Sequence, residues 1–484
     1  MNKSIVIIGA GMGGLSAAIH ARLLGADVVV IESAEGPGGK ARAINQDGYR
    51  FDPGPSIVIL TRIYDEVFRL AGRRREDYLQ FERLDPFTRV YFEGQGPIDL
   101  PANREACLQT LVQVAPEDQR AVEELLRKMQ RAIPLIDQTI FRKPYHRMIQ
   151  LMDPKLMRAV IGFDVRKTYK QMVDDMFKSS LLRAFFYGFP SYGGQSYHAK
   201  SFGGLMIPAL MIEEGVWWPV GGIGAIPAAL ARLAVELGVE FRNGTRVDGL
   251  VQEGDRIKGV RLEDGSKVEA DIVISNRDRG TVQEWLGKPQ TVEPSFSYFT
   301  VQWGLKKRKP GISHHTLLIP NGFEKGFAEL YDEKKFPTRP IVYLNEVAES
   351  DPTAAPEGGG NLFAVITTPA IEDHLNWERD AQEYRQRVLN ELDVHGLGIH
   401  PDEVVVERVQ TPRTFEQRDG SYRGSLYGPD EKHRLWGLFP ARVQDEKIKN
   451  LFYVGGAVQP GAGLPMTTLS GRFAAELALG RRLA

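Results

Sequence analysis

One cysteine, Cys107, occurs in 484 residues. An internal disulfide and a redox-active cysteine pair are therefore excluded, and a lone cysteine is expected to pack as a small hydrophobe. Net charge is also scarce. The chain has 61 Lys and Arg against 62 Asp and Glu, a formal −1, so its overall electrostatics gives no reason to expect a nucleic-acid partner. The 9 histidines are scattered without zinc-type spacing, and no metal is expected. No Gly-x-Ser-x-Gly elbow is present. No apolar run approaches the ~18 residues of a spanning helix. Residues 4–8 already read as a strand, so no secretory leader is expected and the protein is read as cytoplasmic. What remains is a globular composition, 42% hydrophobic and 25% charged, long enough for two or three domains.

The first forty residues carry the strongest pattern. Ser4-Ile5-Val6-Ile7-Ile8 is a buried-type strand. Gly9-Ala10-Gly11-Met12-Gly13-Gly14 is a glycine-rich turn opening a helix, and Val28-Val29-Val30-Ile31-Glu32 is a second strand ending in a carboxylate. Gly9 permits the tight turn, Gly11 lets a pyrophosphate approach the backbone, and Gly14 lets helix and strand pack closely. The helix N-terminus offers N–H groups and a positive dipole end to phosphate. Glu32 is placed to accept hydrogen bonds from a ribose. Strand, turn, helix and terminal acid occur in order, so a dinucleotide site is predicted, with Met12 and Gly13 among its residues.

More glycines follow. Gly38-Gly39-Lys40-Ala41-Arg42 brings further backbone and two cations, and Asp52-Pro53-Gly54-Pro55-Ser56 is a rigid turn. Near the C-terminus, Leu451-Phe452-Tyr453-Val454-Gly455-Gly456 runs into Gly461-Ala462-Gly463-Leu464-Pro465-Met466, and a helix is predicted from Thr467. Such a turn can close on the first one. Gly-Gly-Lys after the acid, then Asp-x-Gly-Pro-Ser, resembles the flavin-dependent amine oxidase and phytoene desaturase superfamily. The closing Pro-Gly-x-Gly-x-Pro resembles bacterial carotenoid desaturases and carotenoid oxidases, and with the N-terminal motifs it extends the resemblance over the whole chain.

The resemblance implies FAD as cofactor. It implies that Gly9, Gly11, Met12, Gly13, Gly14, Glu32, Gly39, Lys40, Arg42, Pro55, Ser56, Val247, Gly456, Gly461, Gly463, Pro465 and Met466 surround it, Val247 near the adenine. It also implies a hydrophobic carotenoid substrate. The ending Gly-Leu-Pro-Met-Thr-Thr-Leu-Ser-Gly looks more like hydroxycarotenoid 3,4-desaturases and terminal-methyl oxidases than like phytoene desaturases. The expected function is desaturation of a long isoprenoid polyene, with an aldehyde-forming terminal-methyl oxidase as the alternative and a flavin amine oxidase third. No catalytic side chain is assigned; His198, beside Tyr197, is the most suggestive histidine.

The expected fold is α/β: a Rossmann-type FAD-binding domain, an interleaved mixed-sheet substrate domain and a helical, membrane-associated insertion. The FAD-binding domain is expected at 1–100, 215–287 and 440–484, the insertion at 101–200 and the substrate domain at 288–430. From Arg131 to Lys170 nine Lys and Arg outnumber three Asp, interleaved with Ile136, Met148, Ile149, Met152, Met157 and Ile161. Such a segment suits peripheral contact with an anionic membrane, and Pro134, Pro144 and Pro154 are expected to break it into short helices. Solvated amphipathic helices are the alternative. Residues 201–230, with Leu205, Met206, Leu210, Trp217 and Trp218, are read either as a polyene slot or as core.

Overall fold

The computed structural model describes residues 2–145, 150, 152–200, 203–288, 293–428 and 441–483. Strand β1 (Ser4–Ile8) has four of its five residues buried, as a parallel strand covered on both faces requires. Helix α1 (Met12–Leu23) follows, then strand β2 (Asp27–Ile31). These form the middle of a five-stranded parallel sheet. Its order is Leu451–Tyr453, Ile272–Ser275, β1, β2, Glu240–Arg242. Ile5 pairs in register with Ile272 on one side and with Val28 on the other. One sheet therefore draws its strands from the two ends and the middle of the chain.

The C-terminal helix (Leu464–Leu479) lies against α1. Glycine permits the crossing: a Cβ on Gly471 would stand 2.4 Å from Gly13 O and 2.6 Å from Ala17 N. Ser16 Oγ seals it by donating to Thr468 O at 2.6 Å, across 452 residues of sequence.

A second, seven-stranded sheet has the order 404–410, 297–305, 360–368, 342–346, 315–319, 88–92, 98–100. It is antiparallel except where Thr88–Phe92 runs parallel to His315–Ile319. Two strands expected in the dinucleotide segment 1–100 thus belong to the sheet of the 288–430 segment. Val247–Glu253, Arg256–Leu262 and Lys267–Glu269 make a small separate sheet. Lys267–Glu269 and Ile272–Ser275 lie close in sequence but in different sheets, because the chain turns at Ala270-Asp271 to enter the parallel sheet.

The segment from Arg104 to Tyr187 is helical in pieces. Pro134 does not break its helix, which runs Gln119–Asp137. Proline removes one backbone donor, and only the last residues of the helix follow it; Gln138 N still closes on Pro134 O at 3.1 Å. Pro154 does begin a helix, Pro154–Ala159, where its missing N–H costs nothing. Among the described residues no helix is long and apolar enough to cross a membrane.

Candidate functional site

A cavity of about 640 Å³ runs from the carboxyl ends of the parallel strands to the seven-stranded sheet. Ile8 ends β1, Glu32 follows β2, Asn276 follows Ile272–Ser275 and Val454 follows Leu451–Tyr453; all four line it. Open parallel sheets bind ligands at that edge.

Of the residues expected around a dinucleotide, Gly9, Gly11, Met12, Glu32, Gly39, Lys40, Arg42, Pro55, Ser56, Val247, Gly456 and Gly463 line the cavity. Gly13, Gly14, Gly461, Pro465 and Met466 are not among its lining residues. Gly14 is spent on packing, since a Cβ there would meet Gly9 O at 2.0 Å. Gly13 faces the C-terminal turn, 3.0 Å from Gly455 N by the same measure. Pro465 and Met466 sit in the first turn of the C-terminal helix, which starts three residues before the predicted Thr467. Proline is favoured at that position, and Gly463, at φ +100, forms the N-cap.

The turn is held by side chains. Glu32 is buried; its Oε2 accepts the Ala10 N–H at 2.6 Å and its Oε1 accepts the Ala34 N–H at 2.8 Å. Oε1 also accepts the Ser33 hydroxyl at 3.4 Å, while Oε2 keeps a further lone pair for a ligand hydroxyl. Asn276 clasps both glycine-rich turns: its Oδ1 accepts Gly14 N–H at 3.0 Å and its Nδ2 donates to Val454 O at 3.2 Å. A Cβ on Gly11 would stand 2.7 Å from that Oδ1. Gly11 is therefore constrained by Asn276 as well as by any ligand phosphate.

The next residues bring charge. Arg277 and Arg279 line the cavity, and the Nε of each is buried without a partner among the described residues. Burial depresses the Arg277 guanidinium below its ordinary value. Asp278 caps the helix Arg279–Trp285 by accepting Gly280 N–H at 2.8 Å, and burial raises its carboxyl. Unsatisfied guanidinium donors beside a backbone cradle of glycines fit an anionic dinucleotide such as FAD.

The other half of the cavity is apolar and aromatic. Leu317, Phe323, Phe327, Leu330, Ile341 and Phe363 line it, with Tyr192, Tyr298, Tyr343 and Tyr427. Tyr298 and Tyr427 hydroxyls lie 2.8 Å apart, and burial raises all four phenols. Of the residues read either as a polyene slot or as core, Leu205, Met206, Leu210 and Trp218 are buried in the core. Leu205, Met206 and Leu210 belong to the buried helix Gly203–Glu214, Trp218 packs edge-on to His314, and none of them lines the cavity. That helix is apolar all round because protein surrounds it; Ser201 lies outside the described residues.

His198 pairs with Asp332 at 2.7 Å on the surface, away from the cavity. Cys107 is buried and its thiol is pushed up to about 12. Among the described residues no His, Cys, Asp and Glu side chains cluster as metal ligands. Sequence reasoning missed Asn276, Arg277, Arg279 and the tyrosines. The first three follow a fully buried strand, Ile272–Ser275, whose Ile-Val-Ile run, recognised as a parallel strand, would have flagged them.

Comparison with known proteins places this geometry. The family model described as flavin containing amine oxidoreductase matches residues 12–479. A 4,4'-diaponeurosporene oxygenase of Staphylococcus haemolyticus is 32% identical, covering 98% of this chain and 96% of that protein. A zeta-carotene-forming phytoene desaturase of Myxococcus xanthus is 31% identical over 98% of this chain and 93% of its own length. Among solved structures, an oxidoreductase from Methanosarcina mazei superposes with a TM-score of 0.65 at 16% identity, covering 97% of this chain and 98% of that one. Putrescine oxidase bound to putrescine gives 0.62 at 15%, covering 99% and 100%. At such identities the structural matches speak for the fold alone.

Proposed function

Because the chain belongs to the flavin-containing amine oxidoreductase family, in its carotenoid desaturase and oxidase branch, we propose that it desaturates a long isoprenoid polyene with FAD as cofactor. The observation that carries the reading is the continuity of the cavity, from the glycine turns and Glu32 to a half walled by Leu317, Phe327, Leu330 and Phe363. A polyene offers few polar atoms, so burial of apolar surface, at ~25 cal/mol/Å², must supply its affinity. When bound, the flavin supplies a two-electron acceptor for hydride.

The protein's part is binding and orientation. Gly9, Gly11, Gly39 and Gly456 leave backbone open to the cofactor, with Lys40, Arg42, Arg277 and Arg279 for its phosphates. Glu32 takes the ribose and Val247 lies at the adenine end. Pro55, Ser56 and Gly463 lie where the cofactor half meets the aromatic half. Gly13, Gly14, Gly461, Pro465 and Met466 shape the two turns from behind. In this reading the FAD-binding pieces are 1–100, 215–287 and 440–484, less the strands lent to the second sheet; residues 429–440 lie outside the described part.

A terminal-methyl oxidase is the second reading, favoured by the relatives named 4,4'-diaponeurosporene oxygenase in two Staphylococcus species. Expression in cells that accumulate lycopene-type or diapo-type carotenoids, followed by pigment analysis, tests both. Added conjugated double bonds support desaturation and an aldehyde end group supports oxidation. Unchanged pigment together with turnover of amines overturns the carotenoid assignment.

Peripheral membrane contact is part of the proposal. Met152, Met157 and Ile161 are 68%, 45% and 72% exposed; Met157 lies in the helix carrying Lys155 and Arg158, and Met152 and Ile161 flank it. Exposed long apolar side chains beside cations suit a lipid interface. Arg147, Met148 and Ile149 lie outside the described residues.

A further inference from the structure

A hydrogen-bonded chain leads out of the aromatic half of the cavity. Ser56 Oγ and Tyr343 Oη lie 2.8 Å apart, and both residues line the cavity. Behind them, Tyr343 Oη is 2.7 Å from His315 Nδ1. The seven-stranded sheet sets this geometry. His315 opens one strand and Tyr343 belongs to its antiparallel neighbour, with His315 in register with Asn345 and Leu317 with Tyr343. The two rings stack at 5.8 Å with 29° between their planes.

The chain has a direction. Asn345 Nδ2 donates to His314 O at 2.9 Å, which orients the amide, and the same Nδ2 lies 3.5 Å from His315 Nδ1. An amide NH₂ only donates, so it faces a lone pair on Nδ1. Burial, reinforced by neighbouring His314, drives His315 well below the ordinary histidine range, so the ring is neutral at rest. Burial likewise raises Tyr343, which keeps its proton. Tyr343 therefore donates to His315, leaving its oxygen to accept from Ser56. Each proton points away from the cavity, and a lone pair of Ser56 Oγ is left toward it.

We propose that Ser56, Tyr343 and His315 form the proton-accepting chain of the desaturation step, with His315 as the buried terminus that acts through Tyr343. The inference rests on the carotenoid reading above. Forming a double bond removes hydrogen from two adjacent carbons. One hydrogen leaves as hydride, with its electron pair, to the oxidised flavin. The other leaves as a proton, and its bonding pair becomes the new π bond. Ser56 Oγ takes that proton and passes its own to Tyr343, which passes its own to His315 Nδ1. The imidazole gains the positive charge that the polyene loses. A C–H beside a cationic carbon is a strong acid, so an imidazole of low basicity suffices, and the matching of acid to base strength is retained.

Tyr343→Phe keeps the ring and cuts the chain. Its flavin content should equal that of the parent, while polyene desaturation falls about a hundred-fold or more. The parent should show a solvent deuterium isotope effect on anaerobic flavin reduction by the polyene, because exchangeable Ser and Tyr protons move in the step; Tyr343→Phe should lose that effect. His315→Gln should lose rate in the same way with full flavin content. The parent is assayed beside each variant. Conversion by the parent with the expected losses supports the chain. Equal rates in parent and Tyr343→Phe, or a rate loss with the isotope effect unchanged, overturn it while leaving the carotenoid reading standing.

Discussion

Glu32 Oε2 accepts the Ala10 N–H at 2.6 Å, so the carboxylate that follows β2 also fastens the turn that follows β1. The residue expected to serve a ribose is at the same time part of the scaffold. Its second oxygen, on Ala34 N–H, fixes the loop leading to Gly38 and Gly39.

Glu32→Ala should accordingly fail twice. Charge-assisted hydrogen bonds contribute ~1.5–3 kcal/mol each, so FAD affinity should fall by about ten-fold or more and the apo protein should melt at lower temperature. Flavin titration and thermal unfolding measure the two losses. Unchanged affinity would take Glu32 out of the site, and an unchanged melt would deny its scaffold role.

Gly11 can be crowded by Asn276 or by cofactor phosphate, and a double substitution separates them. Gly11→Ala should lower flavin retention, because its Cβ would stand 2.7 Å from Asn276 Oδ1. If that contact dominates, Gly11→Ala with Asn276→Ala should retain more flavin than the two single losses sum to. Additive losses would assign the crowding to the phosphate.

Glu346 is buried, and burial raises its carboxyl to about 7 despite the Asn361 N–H on Oε1. A folded value above the unfolded 4.5 means full stability below about pH 4.5, then a loss of about 1.4 kcal/mol per pH unit up to about pH 7. Glu346→Gln removes that loss. It should melt above the parent at pH 8, and the gap should shrink as pH falls toward 4.5. A pH-independent gap would mean the carboxyl is not held protonated.

For the membrane, the local excess of basic residues overstates the free charge. Arg142 is engaged by Glu66 and Asp137, and Lys143 by Asp153. Replacing Arg142 and Lys143 by Gln should change liposome co-sedimentation little. Replacing Met152, Met157 and Ile161 by Ser should reduce it several-fold, since each removes exposed apolar area. The reverse pattern would make docking electrostatic.

Gly461 adopts φ +138, a backbone conformation disfavoured for a branched residue. Gly461→Val should distort the C-terminal turn and reduce polyene turnover more than flavin content, because in the proposed reading β1, β2 and Glu32 hold the other end of the cofactor. Absorbance at the flavin band beside pigment conversion decides it; parallel losses would place the turn's role in cofactor retention.

Much of the dinucleotide half was legible from local pattern. Ser4–Ile8, the glycine turn and Glu32 lie within one βαβ stretch, where spacing and chemistry coincide. Asn276 was hidden because its partners, Gly14 and Val454, are distant in sequence. The tyrosine wall was hidden for a similar reason: Tyr192, Tyr298, Tyr343 and Tyr427 come from separate elements, and a single tyrosine carries no spacing signal. Trp217 and Trp218 left the reading divided because core packing and a polyene slot select the same side chains. Pro134 misled because a proline's cost depends on how much helix follows it.

The contact between α1 and the C-terminal helix sets an order of events during synthesis. The small-residue face of α1, with Gly13 and Ser16, waits unpaired until residues 464–479 have left the ribosome, and strand Ile272–Ser275 waits likewise for Leu451–Tyr453. A nascent chain can therefore complete two strands of its first βαβ unit early, yet it cannot close the pocket until Leu451–Tyr453 and Leu464–Leu479 have emerged. Cofactor capture is thereby deferred until residues 451–479 have been made, and a chain truncated before residue 451 has a hydrophobic helix face and an open sheet edge, which mark it for aggregation or degradation.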